Sequence, residues 1–479
     1  MREIETDYLV IGAGASGMAF TDALLAETGA RVVMVDRRHR AGGHWLDAYP
    51  FVRLHQPSAY YGVVSRRLGD NRIDEVGINQ CFYERATADE ICDYYGRVLE
   101  HFVGSGRVQF LAMSEYRGED TDGHHVVSLL TGADTTIRAH KLVDATYVQS
   151  EIPSRRRPPY GIDPGVNVLA PNQLVDMGEV PDGFTVIGAG KTAMDTCYWL
   201  LEAGVDPERI RWIRARDPWL FDRAFMQPLE LVGSFMQMQA RWVEAAAAAV
   251  DGGDFAHRLE SSGVFVRIDP TVEPGSWRGA TISMGEIDAL RSIERVERAG
   301  YVRRIGRQSL VLSRDDVVSE LPTTPNQLYV DCTAAGVRPT VAHPVFSGDR
   351  ILLQYVTIGI VPWSAATIGY LEATRDDDRE KNRLCPVLTF EADVAGTLRT
   401  AYAGMRGLSA RGAEPDVSAW TEACRLNPAA GAMSRRDQPD VASALTSMAE
   451  NSRPAMANLA HRVGATPAKR LAGVPNGGR

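Results

Sequence analysis

The sequence has none of the cysteine or histidine patterns that mark metal sites and redox-active disulfides. Its six cysteines form no C-x-x-C pair, which argues against zinc ligation and against a catalytic disulfide. Its ten histidines show no H-x-x-x-H or H-x-H spacing. No metal site is therefore predicted, and we expect the cysteines to be small, buried apolar side chains.

Charge and hydropathy exclude two further classes of protein. The formal net charge of −9 over 479 residues gives no electrostatic support for nucleic-acid binding. No apolar run approaches the length needed to span a bilayer, and the first apolar strand begins near Asp7, which leaves no room for a secretory leader. We therefore expect a cytoplasmic protein of two or three domains, without a nucleic-acid or membrane partner.

What the sequence does contain, from Asp7 to Asp36, is a dinucleotide-binding pattern. An apolar run ends in a G-x-G-x-x-G motif, a helical pattern follows, and a second apolar run ends at Asp36. The first glycine permits a tight turn, the second lets the backbone approach a pyrophosphate, and the third lets helix and strand pack closely. The acidic residue is placed to accept hydrogen bonds from ribose hydroxyls. The predicted dinucleotide contacts here are Gly12, Gly14, Ser16, Gly17, Asp36 and Arg37.

The segment that follows indicates which dinucleotide is bound. Residues 42–45 read Gly-Gly-His-Trp just after the acidic strand end, and this resembles the FAD-binding region of flavin-containing and Baeyer–Villiger monooxygenases. The resemblance implies that the first fingerprint binds FAD. The flavin contacts that it implies are Gly43, His44, Trp45, Met113 at the end of a later strand, and Thr146 in the strand that closes the flavin domain.

The loop at 49–61 is dense in aromatic and hydrogen-bonding side chains. In the same monooxygenases the matching loop carries Leu-x-Thr-Asn-x-x-Lys, whose Asn lies beside the reactive part of the flavin. Aligning Gln56 with that Asn retains the amide and puts His55 in the place of the Thr. The resemblance thus implies Gln56 as a flavin-edge residue and His55 as a proton-transfer group, which suits an unperturbed pKa near neutrality. The alternative is a loop that only packs against the first domain.

A second fingerprint with the same spacing opens at Gly188. Residues 183–195 read as a strand, a Gly-x-Gly turn and the start of a helix, with Ala193 at the third glycine position, a change that such folds tolerate. The next strand ends in basic residues, and arginine accommodates the 2′-phosphate of NADPH. The alternative is a degenerate fold that holds no pyridine nucleotide. The predicted NADPH contacts are Gly188, Gly190, Lys191, Thr192, Arg214 and, second to it, Arg216.

These patterns predict an α/β protein with two Rossmann-like dinucleotide-binding domains, the NAD(P) domain being inserted into a discontinuous FAD domain. Alternating runs over 124–142 predict an added β-meander, and alternating charges within 281–300 predict a surface helix. A buried strand at 328–333 is expected to mark the return to the first domain. The predicted boundaries are 1–150 for the first part of the FAD domain, 151–325 for the NAD(P) domain with a helical insert, 326–425 for the FAD return segment and 426–479 for a mostly helical or mobile tail.

The resemblance implies an NADPH-dependent FAD monooxygenase that forms a flavin C4a-(hydro)peroxide and oxygenates a small organic substrate with O₂. The identifying F-x-G-x-x-x-H-x-x-x-Y/F motif of these families is absent, since no histidine lies between His140 and His257. One alternative is an oxidase or dehydrogenase that takes electrons directly from its substrate, with a vestigial second fold. Another is a non-catalytic FAD-binding redox sensor. The substrate stays open, as does the choice between a monomer and a homo-oligomer.

Overall fold

The computed structural model describes residues 2–148, 150–334, 336, 340–358, 361–389, 391, 394 and 396–465. This range contains runs of strands separated by helices, and its last part consists of helices, as expected of a protein that mixes the two. The strands are Arg2–Ile11 (β1), Val32–Val35 (β2), Val108–Leu111 (β3), Ser114–Glu119 (β4), His124–Ser128 (β5), Asp134–Asp144 (β6), Gly161–Ile162 (β7), Asn167–Leu169 (β8), Gly183–Ile187 (β9), Ile210–Ile213 (β10), Pro218–Asp222 (β11), Phe265–Val266 (β12), Ser276–Ile282 (β13), Val296–Glu297 (β14), Tyr301–Ile305 (β15), Ser309–Arg314 (β16), Val317–Pro322 (β17), Gln327–Asp331 (β18), Phe346–Ser347 (β19) and Arg350–Leu352 (β20). The helices are Ala15–Glu27 (α1), Ala88–Gly104 (α2), Lys191–Glu202 (α3), Val232–Ala248 (α4), Gly252–Ser261 (α5), Met284–Arg291 (α6), Val361–Thr374 (α7), Asp378–Leu384 (α8), Gly396–Gly412 (α9), Pro415–Ala423 (α10) and Pro439–Arg462 (α11).

The first sheet has the strand order of a doubly wound fold. Its parallel strands lie in the order β3-β2-β1-β6-β20, and β19 pairs antiparallel with β20 at one edge. Leu9 of β1 lies between Val33 of β2 and Leu142 of β6, and all three side chains are buried. Strands buried on both faces read as continuous apolar runs, which is why the sequence revealed them. Strands β4, β5 and β6 pair antiparallel in succession and confirm the predicted β-meander.

Helices α1 and α7 pack tightly against each other beside this sheet. The approach is close because Gly369 of α7 has no side chain: a Cβ atom there would lie 2.6 Å from the carbonyl oxygen of Phe20. Residues 15–25 of α1 are all buried, since sheet and α7 cover the helix from two sides. Because of this packing, the beginnings of both helices line one pocket.

The second sheet repeats the arrangement. Its strands are all parallel in the order β14-β10-β9-β18-β8, which is the 3-2-1-4 order when counted from β9. Helices α3 and α6 pack on it over a core that includes Trp212. The predicted fold class, α/β with two Rossmann-like units, is thereby confirmed. Leu328 of β18 pairs with Phe184 of β9, so the strand expected to mark the return still belongs to this sheet. The chain rejoins the first sheet only at β19 and β20.

Two smaller sheets and a group of helices complete the described residues. The sheets have the orders β12-β11-β13 and β17-β16-β15-β7. Helix α11 packs along α4, and the Asn458 side-chain amide donates to the carbonyl oxygens of Ala246 and Ala249 at the end of α4, at 2.9 and 2.8 Å. The predicted tail is thus helical as far as Arg462, and 466–479 lie outside the described residues. Within the described ranges, no helix has the length and apolar character needed to cross a bilayer.

The predicted surface helix at 281–300 is wrong in its second half. Helix α6 begins with a capping box formed by Ser283 and Glu286 and ends at Arg291. The chain then extends into β14, where Val296 pairs with Trp212 of β10. Pairing with β10 outweighed the helical charge pattern, because Val296 also packs against the core of the second sheet.

Candidate dinucleotide and active site

The first glycine-rich loop joins β1 to α1 with almost no room for side chains. Gly12 has a φ of +105°, a conformation that residues with a Cβ rarely adopt. A Cβ atom on Gly17 would overlap the carbonyl oxygen of Gly12, so this glycine is needed for the helix to approach the strand. Helix α1 starts at Ala15, and its first N–H groups have no acceptor within the helix. Such a helix start favours a phosphate.

The Gly-Gly pair lies directly on this loop. Gly42 and Gly43 have φ values of +134° and +58°. A Cβ atom on Gly43 would lie 2.8 Å from Cα of Gly14, and the N–H of Gly42 donates to the carbonyl oxygen of Ala13 at 3.0 Å. A glycine of one motif therefore packs on a glycine of the other, and the two motifs form one structural unit.

The next two predicted flavin contacts lie in the short helical turn Gly43–Asp47. The His44 and Trp45 rings are 5.0 Å apart, and the Trp45 indole N–H donates to the Tyr61 hydroxyl at 2.7 Å. Burial, followed by the positive charge of Arg38, lowers the pKa of His44 to about 4. The His44 ring is therefore neutral at pH 7.

The predicted ribose acceptor, Asp36, already binds backbone groups around the loop. It is buried directly after β2, and its two carboxylate oxygens accept the N–H groups of Ala13 at 2.7 Å and Arg38 at 2.8 Å. Each carboxylate oxygen can accept a second hydrogen bond, so its ribose contact stays a prediction. Arg37 is exposed and forms an ion pair with Glu115 at 3.3 Å.

Met113 and Thr146 both lie at the carboxyl edge of the first sheet, just after β3 and β6. The N–H of Met113 donates to the carbonyl oxygen of Arg38 at 3.0 Å, and its own carbonyl accepts the N–H of Leu129 at 2.7 Å. Thr146 approaches the first loop, where a Cβ atom on Gly12 would lie 3.1 Å from its methyl carbon. Ligands of parallel sheets bind at this edge, and the flavin contacts of both residues stay predictions.

Ser16 lines a small pocket at which two helices begin. Helix α1 contributes Ser16 and the start of α7 contributes Val361 and Ser364, while Gln354 and Tyr355 complete the wall. Two helix beginnings bring two positive dipole ends to one place, which favours an anionic group. Sequence analysis missed Gln354 and Ser364, because no short motif marks residues that only the fold brings to the loop.

The second glycine-rich loop joins β9 to α3. Gly188 has a φ of +143°, and a Cβ atom there would lie 2.8 Å from the carbonyl oxygen of Cys332. The carbonyl oxygen of Gly188 accepts the Trp212 indole N–H at 2.7 Å. A Cβ atom on Gly190 would meet nothing within 4 Å. The backbone at Gly190 is therefore open to a ligand, as a nucleotide fingerprint requires.

Lys191 and Thr192 start α3 directly after this loop. The Lys191 side chain is buried and forms ion pairs with Asp195 and, at 3.1 Å, with Glu286. Thr192 is half-buried, and its carbonyl oxygen accepts the Thr196 hydroxyl at 2.8 Å. The Lys191 ammonium thus points into the protein, and what this residue offers a nucleotide is its N–H at the beginning of the helix.

Arg214 and Arg216 differ sharply in their surroundings. Arg214 is 1% exposed, lies 4.6 Å over the Trp212 ring and pairs with Asp217 at 2.7 Å. Its Nε and Nη1 have no hydrogen-bond partner among the described residues. Arg216 is exposed beside the Tyr301 ring. Arg214 borders a cavity of about 380 Å³ that is also lined by Asp269, Leu290, Arg291 and Arg298.

The loop that carries the predicted catalytic residues is tied to the second half of the chain. The carbonyl oxygen of His55 accepts hydrogen bonds from Nε of Arg223 at 3.1 Å and from the Thr281 hydroxyl at 2.7 Å. Gln56 is half-buried, and its side chain makes no hydrogen bond within the part of the chain that the structure describes. Its amide is therefore available to a ligand.

The pKa of His55 differs from the value on which its predicted role rests. Burial lowers the pKa of His55 to about 4, and the positive charges of Lys191, Arg223 and Arg85 act in the same direction. The negative charge of Asp195 acts in the opposite direction. The imidazole is therefore neutral at pH 7. It can donate or accept a hydrogen bond through its ring nitrogens, but it does not supply an imidazolium proton at that pH.

Five charged side chains meet beside this loop, and we call Arg85, Lys191, Asp195, Arg223 and Glu286 the Glu286 cluster. Glu286 lies between Lys191 at 3.1 Å, Arg85 at 3.9 Å and Arg223. None of the five side chains is more than 14% exposed. They come from four separate segments of the chain, which is why no sequence motif indicated the cluster.

Two glycine-rich loops, each at the carboxyl edge of its own parallel sheet, define a protein with two Rossmann-like dinucleotide-binding folds. A family model described as NAD(P)-binding Rossmann-like domain matches residues 10–56. Over 429 residues the chain is 45% identical to the uncharacterized protein Rv2000 of Mycobacterium tuberculosis, an alignment that covers 89% of this chain and 78% of that protein. The chain belongs to the same family as this mycobacterial protein.

Solved structures similar to this chain include an oxygenase and a reductase. One is cyclohexanone monooxygenase from Rhodococcus sp. Phi1 bound to NADP⁺, at 15% identity and a TM-score of 0.47, covering 78% of this chain and 84% of that one. Another is a bacillithiol disulfide reductase from Bacillus cereus, at 11% identity and a TM-score of 0.46, covering 77% and 98% of the two chains.

We expect Gly43→Ala to lower both the flavin content and the stability of the protein. Alanine at position 43 would have to adopt a φ of +58°, and its Cβ atom would lie 2.8 Å from Cα of Gly14. The resulting strain is about 1–3 kcal/mol. The measurements are the melting temperature and the flavin-to-protein ratio after purification. Gly29→Ala is the control, because a Cβ atom there meets nothing within 4 Å. Equal flavin content in the two variants would contradict the role given to Gly43.

We expect the free energy of unfolding to fall as the pH is lowered from 6.5 towards 4. His55 takes up a proton near pH 6.5 when the protein is unfolded and near pH 4 when it is folded. Its contribution to the free energy of unfolding is therefore complete above pH 6.5 and is lost as the pH falls through 4. With allowance for the partial exposure of its ring, this contribution is about 1–2 kcal/mol.

Chemical denaturation at pH 7 and pH 4 measures this effect. His55→Gln should lose less stability between the two pH values than the wild type, because glutamine does not titrate. His140→Gln is the control, since that ring is 83% exposed. If all three proteins lose the same amount, His55 does not contribute to the pH dependence.

Proposed function

We propose that the protein is an FAD- and NADPH-dependent monooxygenase that oxygenates a small organic substrate with O₂. One observation carries this proposal. The loop expected at the flavin edge is fastened through the His55 carbonyl to Arg223, which follows β11, and to Thr281 in β13, and along the chain both strands lie between β10 and β14 of the second fold. A nicotinamide bound to the second fold would therefore lie near a flavin bound to the first, and hydride transfer requires such proximity.

The residues present fit two dinucleotides. At the first loop, Gly12 has a positive φ, Gly17 in the first turn of the helix admits no Cβ, and a buried carboxylate follows the next strand. At the second loop, Gly190 is open and Arg214 keeps two nitrogens without partners in the described chain. Bound FAD would accept a hydride from NADPH and pass electrons to O₂. We propose that Gly12, Gly14, Ser16, Gly17, Asp36, Gly43, His44 and Trp45 hold FAD, and that Gly188, Gly190, Thr192 and Arg214 hold NADPH.

The chain itself would orient the reactants and exclude water. The unengaged Gln56 amide can donate and accept hydrogen bonds at the flavin edge. The neutral His55 ring can accept a hydrogen bond from a substrate or donate one to it, depending on its tautomer. Tyr60 and Tyr61, at the end of this loop, are buried, so that polar interactions near them act in a less hydrated environment.

A second candidate is an FAD-dependent oxidase or dehydrogenase that takes electrons directly from its organic substrate. The observation that favours it is the inward orientation of two side chains expected to meet NADPH. Lys191 pairs with Asp195 and Glu286, and Arg214 pairs with Asp217. In this case the second fold would serve as a scaffold, and NADPH would not reduce the flavin.

Anaerobic mixing of the purified yellow protein with NADPH separates the two candidates. We expect the flavin absorbance near 450 nm to bleach rapidly and to recover when oxygen is readmitted, because both nucleotides would occupy their sites. The control is an equal concentration of NADH. No bleaching, either alone or with candidate substrates present, would contradict the monooxygenase proposal and favour the oxidase. A protein that takes up no FAD would contradict both.

We expect Arg214→Ala to raise KM for NADPH far more than KM for NADH, by about tenfold or more, because only NADPH carries the 2′-phosphate. Asp217 keeps a partner in this variant, since Arg298 also pairs with it at 3.0 Å. Steady-state kinetics with both nucleotides measures the ratio. Arg216→Ala is the matched control, because that side chain is exposed on the surface. Equal increases in KM for both nucleotides would refute the assignment.

A further inference from the structure

The Glu286 cluster contains one more cation than anion. Its cations are Arg85, Lys191 and Arg223, and within the described ranges the carboxylates that lie within 4 Å of them belong to Asp195 and Glu286. Burial alone would raise the pKa of Glu286, but Lys191, Arg223 and Arg85 lower it well below its usual range. Burial and the neighbouring Arg223 lower the pKa of Arg85 to about 10. Glu286 and Arg85 are therefore both charged at pH 7.

The groups that surround the cluster do not remove this excess charge. The Tyr49 hydroxyl donates to Asp195 at 2.7 Å, and burial and that carboxylate raise its pKa well above the usual value, so it stays neutral. The His55 ring is neutral at pH 7 because its pKa is about 4. Two further charged groups act on the cluster and offset each other: the Asp222 carboxylate interacts with Arg223, and the Arg53 guanidinium, which donates to the Arg85 carbonyl oxygen at 3.2 Å, acts on Arg85. A net charge of about +1 therefore remains in a buried place, where an unbalanced charge is costly.

Two N–H groups of the cluster also lack acceptors. Arg223 is 0% exposed; its Nε and Nη2 bind the His55 carbonyl and Glu286, and its Nη1 has no partner among the described residues. Arg85 is 9% exposed; its Nη1 donates to the Leu54 carbonyl at 3.3 Å, and its Nε has no partner in the same part of the chain. Both unsatisfied donors belong to guanidinium groups that already hold the loop at 54–55. An acceptor for them would lie beside the predicted flavin edge.

We propose that Arg85 and Arg223 bind the carboxylate of an organic acid that is the substrate of this site. One carboxylate supplies one negative charge, which balances the excess, and its oxygens can accept hydrogen bonds from the guanidinium nitrogens that have no partner among the described residues. Guanidinium groups form charge-assisted hydrogen bonds with carboxylates. This inference rests on the proposed function, since it names the class of substrate that reacts beside His55 and Gln56.

Calorimetric titration of the purified holoprotein with acetate, benzoate and octanoate tests the proposal. The uncharged amide of each acid is titrated in parallel. Each pair has nearly the same shape and differs in charge. We expect at least one of the three acids to bind saturably and to raise the melting temperature, and its amide to bind about tenfold more weakly or not at all. Equal binding of an acid and its amide, or no binding by any of the three acids, would overturn the proposal.

Variants then locate the binding site. Arg85→Gln removes one cation, and Arg223→Lys keeps the charge but loses the paired donors; we expect each to weaken binding of the acid by about tenfold. Arg72→Gln is the matched control, because that side chain is 76% exposed and pairs only with Asp70. If Arg223→Lys does not fold, Arg85→Gln decides. Unchanged affinity in Arg85→Gln, or in a folded Arg223→Lys, would overturn the proposal.

Two further outcomes distinguish a carboxylate site from a phosphate site, and the substrate class from the NADPH-dependent reaction. If inorganic phosphate or NADP⁺ displaces the acid and loses affinity in Arg85→Gln, the cluster holds a nucleotide phosphate, and the proposed substrate class is wrong. The titration does not depend on flavin reduction. Bleaching by NADPH without binding of any acid would therefore refute only the substrate class, whereas binding of an acid without bleaching would refute only the NADPH-dependent reaction.

Discussion

Three cations from three segments of the chain converge on the carboxylate of Glu286, and the position of the predicted flavin-edge loop depends on this convergence. Glu286 is fixed by the capping box at the start of α6. It holds Arg223, and Arg223 in turn holds the carbonyl oxygen of His55. Removing one partner of a buried ion pair generally costs about 3–5 kcal/mol, because the remaining charge has neither water nor a counterion. The contact between the two dinucleotide folds is therefore sensitive to a single carboxylate.

The sequence allowed the glycine motifs to be predicted because their requirements are local. Gly12 and Gly188 adopt positive φ angles, and Gly43 approaches Gly14 too closely for a Cβ atom, so each position leaves a trace in the sequence itself. The two parallel sheets were predictable for a related reason, since strands buried on both faces are continuous apolar runs.

Features that depend on distant segments could not be predicted in the same way. The inward turn of the Lys191 ammonium depends on more than Asp195 on the same helix, because the ammonium also pairs with Glu286, 95 positions away. The low pKa of His55 arises from burial and from positive charges on three other segments. The charges near 294–298 fit a helix equally well in isolation, and only the neighbouring strand β10 makes the extended form favourable. The cofactor contacts themselves stay predictions, since they depend on ligands as well as on the chain.

The residue that directly follows the second strand has a different role in each of the two dinucleotide folds. After β2, Asp36 accepts the N–H of Ala13 and so braces its own glycine-rich loop. After β10, Arg214 is braced by Asp217 and Trp212 and borders a cavity. The acid at the first fold thus preorganises the loop, whereas the arginine at the second is itself preorganised. Preorganisation lowers the conformational entropy lost when a ligand binds, in either arrangement.

The packing of α11 on α4 has a consequence for the order in which the protein is made. The Asn458 amide that caps the end of α4 comes 212 positions after Ala246 and 209 after Ala249. During synthesis on the ribosome, α4 emerges long before the helix that covers its apolar side. Until α11 is made, the side of α4 that it covers lacks this partner. Contacts between segments so far apart in the sequence also form slowly compared with local structure. The side of α4 that faces α11 therefore stays without its final partner while the intervening residues are made.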